Sequence, residues 1–287
     1  MKALITLTPA ESKKLIARAF LSLPEFQKAR QDGMIALHPC SSTYFILEAL
    51  AGRKPEGIWT RGVIIPRGLC ISQAAPGHSA AQKPGPHDPR RIRHTWLFRN
   101  GRFQEALPIG EILDQMTQSD IYIKGANAVD PAGNVAVLFG NPAGGGGTIG
   151  RVITAQRRTG FHLLLPIGLE KLIPGPIALA TKKAAFQKYD RAMGIPCGLI
   201  PVPGRKIDEV DALAILSGAE STPIAAGGLG GAEGSVVLAI SGTDAQVSKA
   251  FEISSSVKGT TLPMPRILDC DACRRPGCHL SPDWSGR

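Results

Sequence analysis

Aromatic side chains are scarce in this chain. Only 5% of its 287 residues are Phe, Trp or Tyr, so its core must be built mainly from aliphatic groups. No run reaches the roughly 18 consecutive apolar residues that a membrane span needs. The opening stretch MKALITLTPAES is also too short in apolar residues for a secretory signal. Both absences lead us to expect a cytoplasmic protein with no membrane partner. Cysteine is sparse as well: six residues at scattered positions, unlike the dense disulfide framework of a small secreted domain. Acidic groups are outnumbered, 23 Asp and Glu against 33 Lys and Arg, giving a net charge of +10.

Glycine and proline, in contrast, are plentiful at 33 and 23 residues, which implies many turns. The length suits one large domain or two smaller ones with a sizeable core. Half of the positive excess lies between Gln82 and Arg102, where Lys83, Arg90, Arg91, Arg93, Arg99 and Arg102 face a single Asp88. Such a block is either a solvated basic loop or a funnel for an anionic substrate. Nucleic acid is disfavoured, because the block offers no stacking aromatics beyond Trp96 and Phe98.

Thr8-Pro9-Ala10-Glu11 predicts a helix start with Thr8 as N-cap and Glu11 closing a capping box. Leu15, Ile16, Ala19, Phe20 and Leu23 follow at helical spacing. Further helices are predicted over Ser41–Leu50, Ile109–Met116, 148–159 and Asp208–Leu216, and around Val247, Ala250, Phe251 and Val257. Strands are predicted at Met34–Leu37, Gly57–Ile65, Leu69–Ser72, Ile121–Ile123, Val135–Phe139, Phe161–Leu165, Cys197–Val202, Pro223–Ala226 and Ser235–Ile240. Thr95–Phe98 and Phe103 flank Asn100-Gly101, a hairpin signal. Residues 74–94 form a long loop rich in proline and histidine. The alternation of strand and helix predicts an α/β fold with a Rossmann-like parallel or mixed sheet flanked by helices. The βαββα order after Pro196 predicts a smaller α+β domain. The expected division is 1–195, 196–262 and a cysteine-containing extension over 263–287.

NPAGGGGTIGR, residues 141–151, places four glycines between a strand and a helix. A dinucleotide fingerprint needs its first glycine directly after the strand, and here the turn is too long. A phosphate-binding P-loop needs Lys-Ser/Thr where Arg151-Val152 stands. What remains is a general anion site on the first amides of helix 148–159, or else close helix–sheet packing. Gly144, Gly145, Gly146, Gly147 and Thr148 are the candidate contacts.

The longer stretch SDIYIKGANAVDPAGNVAVLFGNPAGGGGTIGRVI, about an eighth of the chain, resembles the core of ribose-5-phosphate isomerase A. Gly125, Ala126, Val129, Asp130, Pro131, Asn134 and Gly144–Gly147 carry the likeness. It implies membership of the NagB/RpiA/CoA-transferase-like superfamily. The resemblance implies that Asn127, Lys124 and Asp130 face the reacting part of a substrate. Lys124, Asn127 and Ala128 stand where that isomerase carries acids, so the proton-handling groups differ. Asp130 before Pro131 also fits a simple turn.

A second glycine cluster, AAGGLGGAEGS at residues 225–235, holds one charge, Glu233. Class I coenzyme A transferases of that superfamily use a glutamate in a glycine-rich turn as nucleophile, which makes Glu233 a candidate for acyl transfer. The cluster is otherwise a hairpin with a surface Glu, or a contact with another subunit of a homo-oligomer. Arg61 and Arg67, at the ends of predicted strands, are candidates to neutralise a second substrate charge.

Cys270-x2-Cys273-x4-Cys278-His279 has the spacing of a soft-metal site. Zinc, held by the three cysteines with His279 or a distant ligand, or an iron–sulfur cluster completed by a residue such as Cys40, Cys70 or Cys197, are the candidates; otherwise these are reduced thiols of the extension. The leading expectation is an enzyme acting on a small anionic metabolite, a sugar phosphate or a coenzyme A or carboxylate compound, by isomerisation or acyl transfer and with no required cofactor. The alternatives are a non-catalytic ligand-binding protein on the same fold, and a metal-linked accessory protein.

Overall fold

The computed structural model describes residues 1–55, 59–60, 62–71, 95–104, 107–140, 146–184, 189–265, 267, 269–271, 273 and 278–281. Arg61, Gly144, Gly145 and the loop 74–94 lie outside the described residues.

The chain opens with β1 (Lys2–Leu7), α1 (Pro9–Ser22), α2 (Pro24–Asp32), β2 (Met34–Leu37) and α3 (Tyr44–Ala51). Two hairpins follow: β3 (Gly62–Ile65) with β4 (Gly68–Ile71), and β5 (Trp96–Arg99) with β6 (Arg102–Gln104). Then come α4 (Ile109–Gln115), β7 (Ile121–Ile123), β8 (Ala128–Val129), β9 (Val135–Phe139), α5 (Gly147–Thr159) and β10 (His162–Pro166). The last third holds α6 (Ile177–Lys183), β11 (Gly198–Pro201), β12 (Arg205–Ile207), α7 (Glu209–Ser217), β13 (Glu220–Gly227), β14 (Ser235–Ser241) and α8 (Asp244–Ser255).

Local chemistry explains the boundaries. Thr8 accepts from the Glu11 amide while Glu11 reaches back to the Thr8 amide, the reciprocal cap read in the sequence. Asp208 caps α7 and Thr243 caps α8 in the same way. Asn100 and Gly101 take positive φ values of 49° and 72° in the β5–β6 turn, which lets a two-residue loop match the strand twist.

The main sheet is mixed, with strand order β12-β10-β7-β2-β5-β6. Its first four strands are parallel to one another, while β5 runs against β2 and β6 against β5. Alternate residues face opposite sides, as strand pleating requires. Ile35, Leu37, Ile121, Ile123, Leu164 and Ile207 join a core with α1, α2, α3, α7 and α8. Met34, Ala36, Tyr122, Leu163 and Leu165 join a second core with α4 and α5. Helices therefore cover both faces of a mixed α/β sheet. Among the described residues no helix is long and apolar enough to cross a membrane.

The expected boundary at residue 195 does not separate two cores. β12 is an edge strand of the main sheet, and β11 pairs with β9. β14 pairs with the N-terminal β1, so the three-stranded sheet β1-β14-β13 joins both ends of the chain. Leu7, Leu15, Phe20, Leu213, Val236 and Leu238 share one buried cluster with Ile35 and Ile121. The sequence pattern after Pro196 finds β11, α7, β13, β14 and α8 but misses β12, and pairing between distant strands cannot be read from periodicity.

Leu238 on β14 is fully buried in this shared cluster. Leu238→Ala is expected to cost about 2–5 kcal/mol and to leave one cooperative transition in urea by both circular dichroism and tryptophan fluorescence. Two transitions, with only one of them shifted, would contradict a common core.

Candidate active site

Four parallel strands end along one edge of the main sheet, and chemistry-bearing residues follow each of them. After β2 comes His38-Pro39-Cys40, after β7 Lys124-Gly125, after β10 Gly168-Leu169-Glu170-Lys171, and after β12 Asp208-Glu209. In open α/β sheets this edge is where ligands bind, because loops there diverge from a rigid frame.

Cys40 opens a short 3₁₀ turn, Ser41–Thr43, that runs into α3. Its amide donates to Thr43 Oγ1 at 3.0 Å, and its sulfur lies 3.4 Å from the same hydroxyl. The Thr43 hydroxyl in turn donates to the His38 carbonyl at 2.7 Å. Burial alone would push the thiol up, but Lys124 and Lys171 outweigh it, with help from Thr43, and hold it below its ordinary value. Cys40 keeps part of its surface open to solvent. A depressed, accessible thiol beside cations is the environment that makes a reactive cysteine.

The lysines are held in place by the backbone around them. Lys124 is 9% exposed, and its amide extends the ladder to the Leu164 carbonyl at 3.1 Å. Burial lowers its ammonium, and Cys40 partly restores it. Lys171 donates to Ser42 Oγ at 2.7 Å; burial lowers it too, against the pull of Glu170. Gly125 makes the close approach feasible. A Cβ there would fall 2.5 Å from Cys40 Sγ and 3.0 Å from Ser42 Cβ, so any side chain would push the thiol away from its cations.

A second ion pair lies beside this one. Lys13 of α1 donates to Glu170 Oε1 at 2.5 Å and to the Pro9 carbonyl at 3.1 Å. Burial works to raise Glu170, but Lys13 and Lys171 prevail and hold it low. Its other oxygen, Oε2, is buried and has no hydrogen-bond partner among the described residues. Gly168 makes room for that oxygen, since an added Cβ would land 1.9 Å from it. Beneath lies Glu209, fully buried, accepting from the Leu169 amide at 2.9 Å. Desolvation first, and the Glu170 charge second, push it up to about 7. Two neighbouring carboxyls are thus driven apart, Glu170 toward the ionised form and Glu209 toward the protonated one. Lys13, Lys124 and Lys171 thus gather around Glu170 and Cys40, a cluster rich in cations at the sheet edge.

The residues singled out in the sequence are scattered by comparison. Lys124 is in this cluster. Asn127 and Asp130 are not used there: Asn127 accepts from the Leu138 amide at 3.0 Å. Asp130 accepts from the amides of Ala132, Asn134 and Ile177 and from the Asn134 side chain. Those donors hold its carboxyl below the usual range and make it the hub of a turn rather than an acid–base group. Glu233 is exposed and accepts from Gly231 at 2.9 Å. Its turn nevertheless borders the site, because Gly234 lies against Pro9 and Glu170.

Arg67 is exposed and interacts with Cys270 in the tail, away from the lysines. Gly146 is the N-cap of α5, with φ 94°, and a Cβ on it would meet Ile200 at 2.5 Å. At Gly146, then, the bare backbone serves packing against β11. Gly147 and Thr148 form the first turn of α5, both half-buried.

Sequence reasoning missed Lys13, Glu170, Lys171 and Glu209 as site residues and gave Cys40 only a ligand role. The signal was present in HPCSST after β2 and GLEK after β10, but it appears only once the parallel order of the strands is known. Comparison of the chain with family models, curated proteins and solved structures returned no match.

A carboxyl whose folded value lies above its unfolded value favours the folded state while protonated. For Glu209 that contribution is complete below the ordinary 4.5 and is lost as pH rises through about 7. Glu209→Gln, which cannot ionise, should therefore lose less melting temperature than the parent between about pH 5 and pH 7. Equal slopes in the two proteins would contradict a protonated Glu209.

Proposed function

We propose that the protein is an enzyme that transfers an acyl group from a small anionic carboxylate derivative, such as a coenzyme A thioester, through the Cys40 sulfur. The observation that carries this reading is the Cys40 thiol, lowered by the charges of Lys124 and Lys171 and close against Gly125, at the carboxyl edge of four parallel strands. A thiolate is a strong nucleophile toward an acyl carbonyl. In the proposed step the sulfur bonds to the carbonyl carbon, the leaving thiolate departs with the electron pair of the broken C–S bond, and the acyl group rests on Cys40 as a thioester until an acceptor nucleophile takes it. The lysine cluster binds the anionic end of the substrate and stabilises the oxyanion that forms during attack.

This reading keeps the acyl-transfer chemistry and the superfamily suggested by the 121–153 resemblance, including its Rossmann-like fold, but places the nucleophile at Cys40 in place of Glu233. The glycine-rich turn of Glu233 then serves as a wall of the site. Residues of the first turn of α5 are a second place for substrate phosphate, because α5 runs back against the parallel strands from their carboxyl edge. Cytoplasmic location and a homo-oligomer fit the reading; the exposed Ile224 and Leu229 of the β13–β14 hairpin support a contact with a second copy.

One observation favours a second reading. Glu170 Oε2 lacks a partner among the described residues, and a carboxylate with a vacant oxygen suits proton abstraction in sugar-phosphate isomerisation. The two readings separate cleanly. Under acyl transfer, a panel of coenzyme A thioesters and sugar phosphates yields turnover with a thioester. Cys40→Ser then lowers kcat/KM by on the order of three decades or more, as loss of a covalent nucleophile does. Lys171→Met raises KM. Turnover of a sugar phosphate that survives Cys40→Ser and is lost in Glu170→Gln would replace the first reading by the second.

A further inference from the structure

The cysteine-containing tail returns to the body at a place remote in sequence from the lysine cluster. The β3–β4 hairpin is tied to residues 193–195 by two backbone hydrogen bonds, Leu69 N to Met193 O at 3.2 Å and Ile195 N to Leu69 O at 2.7 Å. Glycine is required at both sides of this seam. Gly68 and Gly194 take φ values of 119° and 91°, and a Cβ on either would sit 2.1 Å from a backbone oxygen of the other segment. The tail docks onto the same segment, with the His279 amide donating to the Ala192 carbonyl at 2.9 Å.

The tail is itself folded around its cysteines. The Cys273 amide donates to the Cys270 carbonyl at 3.1 Å, which closes a turn between the two residues. The Ser281 amide donates to the Cys278 carbonyl at 3.0 Å, and the Ser281 hydroxyl donates to the Cys273 carbonyl at 3.0 Å. Seam and tail together enclose a cavity of about 30 Å³ lined by Cys70 of β4 and by Cys270, Cys273 and Cys278. That exceeds the roughly 10–15 Å³ that one water-sized guest needs. Leu69 and Ile195 supply aliphatic walls, and Arg67 lies at the cavity with its guanidinium donating to the Cys270 sulfur. None of the six cysteines is joined in a disulfide.

We propose that Cys70, Cys270, Cys273 and Cys278 are the four ligands of a thiophilic metal centre, zinc or an iron–sulfur cluster, that fastens the tail to the β3–β4 hairpin. Four thiolates from a Cys-x2-Cys turn, a third cysteine nearby and a fourth from a distant hairpin make a tetrahedral soft-donor set. Thiolate ligation builds up negative charge, and Arg67 is placed to offset part of it. Among the described residues no three His, Cys, Asp or Glu side chains are placed so that they could hold a metal ion as they stand, so the proposed centre requires the thiols to turn toward one another. The metal draws the thiols inward by rotation about their Cα–Cβ bonds, each of which has alternative staggered positions. Each thiol releases its proton to solvent as its sulfur binds. Sequence spacing marks the tail cysteines but cannot select the fourth ligand from Cys40, Cys70 and Cys197. The cavity selects Cys70, which lines it, whereas Cys40 is placed among the lysines and Cys197 is not among the lining residues.

The test is elemental and sulfide analysis of the full chain purified without oxygen, beside Cys70→Ser, Cys273→Ser and Cys197→Ser. The expected result is stoichiometric zinc, or iron with matching acid-labile sulfide and a visible charge-transfer band. That content should be lost in Cys70→Ser as fully as in Cys273→Ser, and kept in Cys197→Ser. Retention of full metal content in Cys70→Ser would overturn the assignment. Should Cys70→Ser fail to fold, Co²⁺ titration of the chelator-treated, reduced parent chain decides: intense sulfur-to-cobalt charge transfer supports the centre, and its absence overturns it.

Discussion

One partly dry corner holds a thiol and two lysines whose charged forms favour one another. Removed from water, each of the three would be costly on its own. Together they make ionisation favourable for the thiol and tolerable for Lys124 and Lys171. The Lys13–Glu170 pair repeats the arrangement next door. Lysine is suited to this use: its compact ammonium responds to burial and neighbours, where an arginine would stay charged regardless.

The rest of the fold is arranged so that these groups meet. Parallel pairing of β12, β10, β7 and β2 brings four chain segments to one edge in register. The two hydrophobic layers, each using alternate residues of the same strands, leave the strands no freedom to shift by one residue. Gly125 and Gly168 then set the closest approaches, one for the thiol and one for the unpaired oxygen of Glu170. Below them burial and the Glu170 charge push Glu209 up to about 7, which weakens its negative charge in the corner. At the far seam the same device recurs, with Gly68 and Gly194 letting two backbones touch where the tail cysteines gather.

Local signals in the sequence were sound wherever the cause was local. The Thr8–Glu11 capping box, the Asn100-Gly101 turn and the alternating apolar strands all have causes within a few residues. The strand–helix alternation also conveyed a mixed α/β sheet with helices on both sides. Non-local facts were not legible. Nothing in the composition near Lys2–Leu7 says that this strand pairs with Ser235–Ser241, so the C-terminal unit was expected to stand alone. The glycine run drew attention as an anion loop, yet at Gly146 the missing side chain makes room for Ile200. Asp130 looked reactive because it is charged and near Lys124 in sequence; its oxygens are taken by backbone amides. Cys40, Glu170 and Lys171 are unremarkable in sequence and become a site only when the strand order brings them together.

The direct measure of the account is the charge on one sulfur. Thiolate ultraviolet absorbance, followed against pH as the difference between the parent chain and Cys40→Ser, reports the titration of Cys40 alone. The account predicts a midpoint below that of an ordinary cysteine, near 8.5, moving upward in Lys124→Met and again in Lys171→Met. A midpoint at or above the ordinary value, unmoved by either substitution, would contradict it.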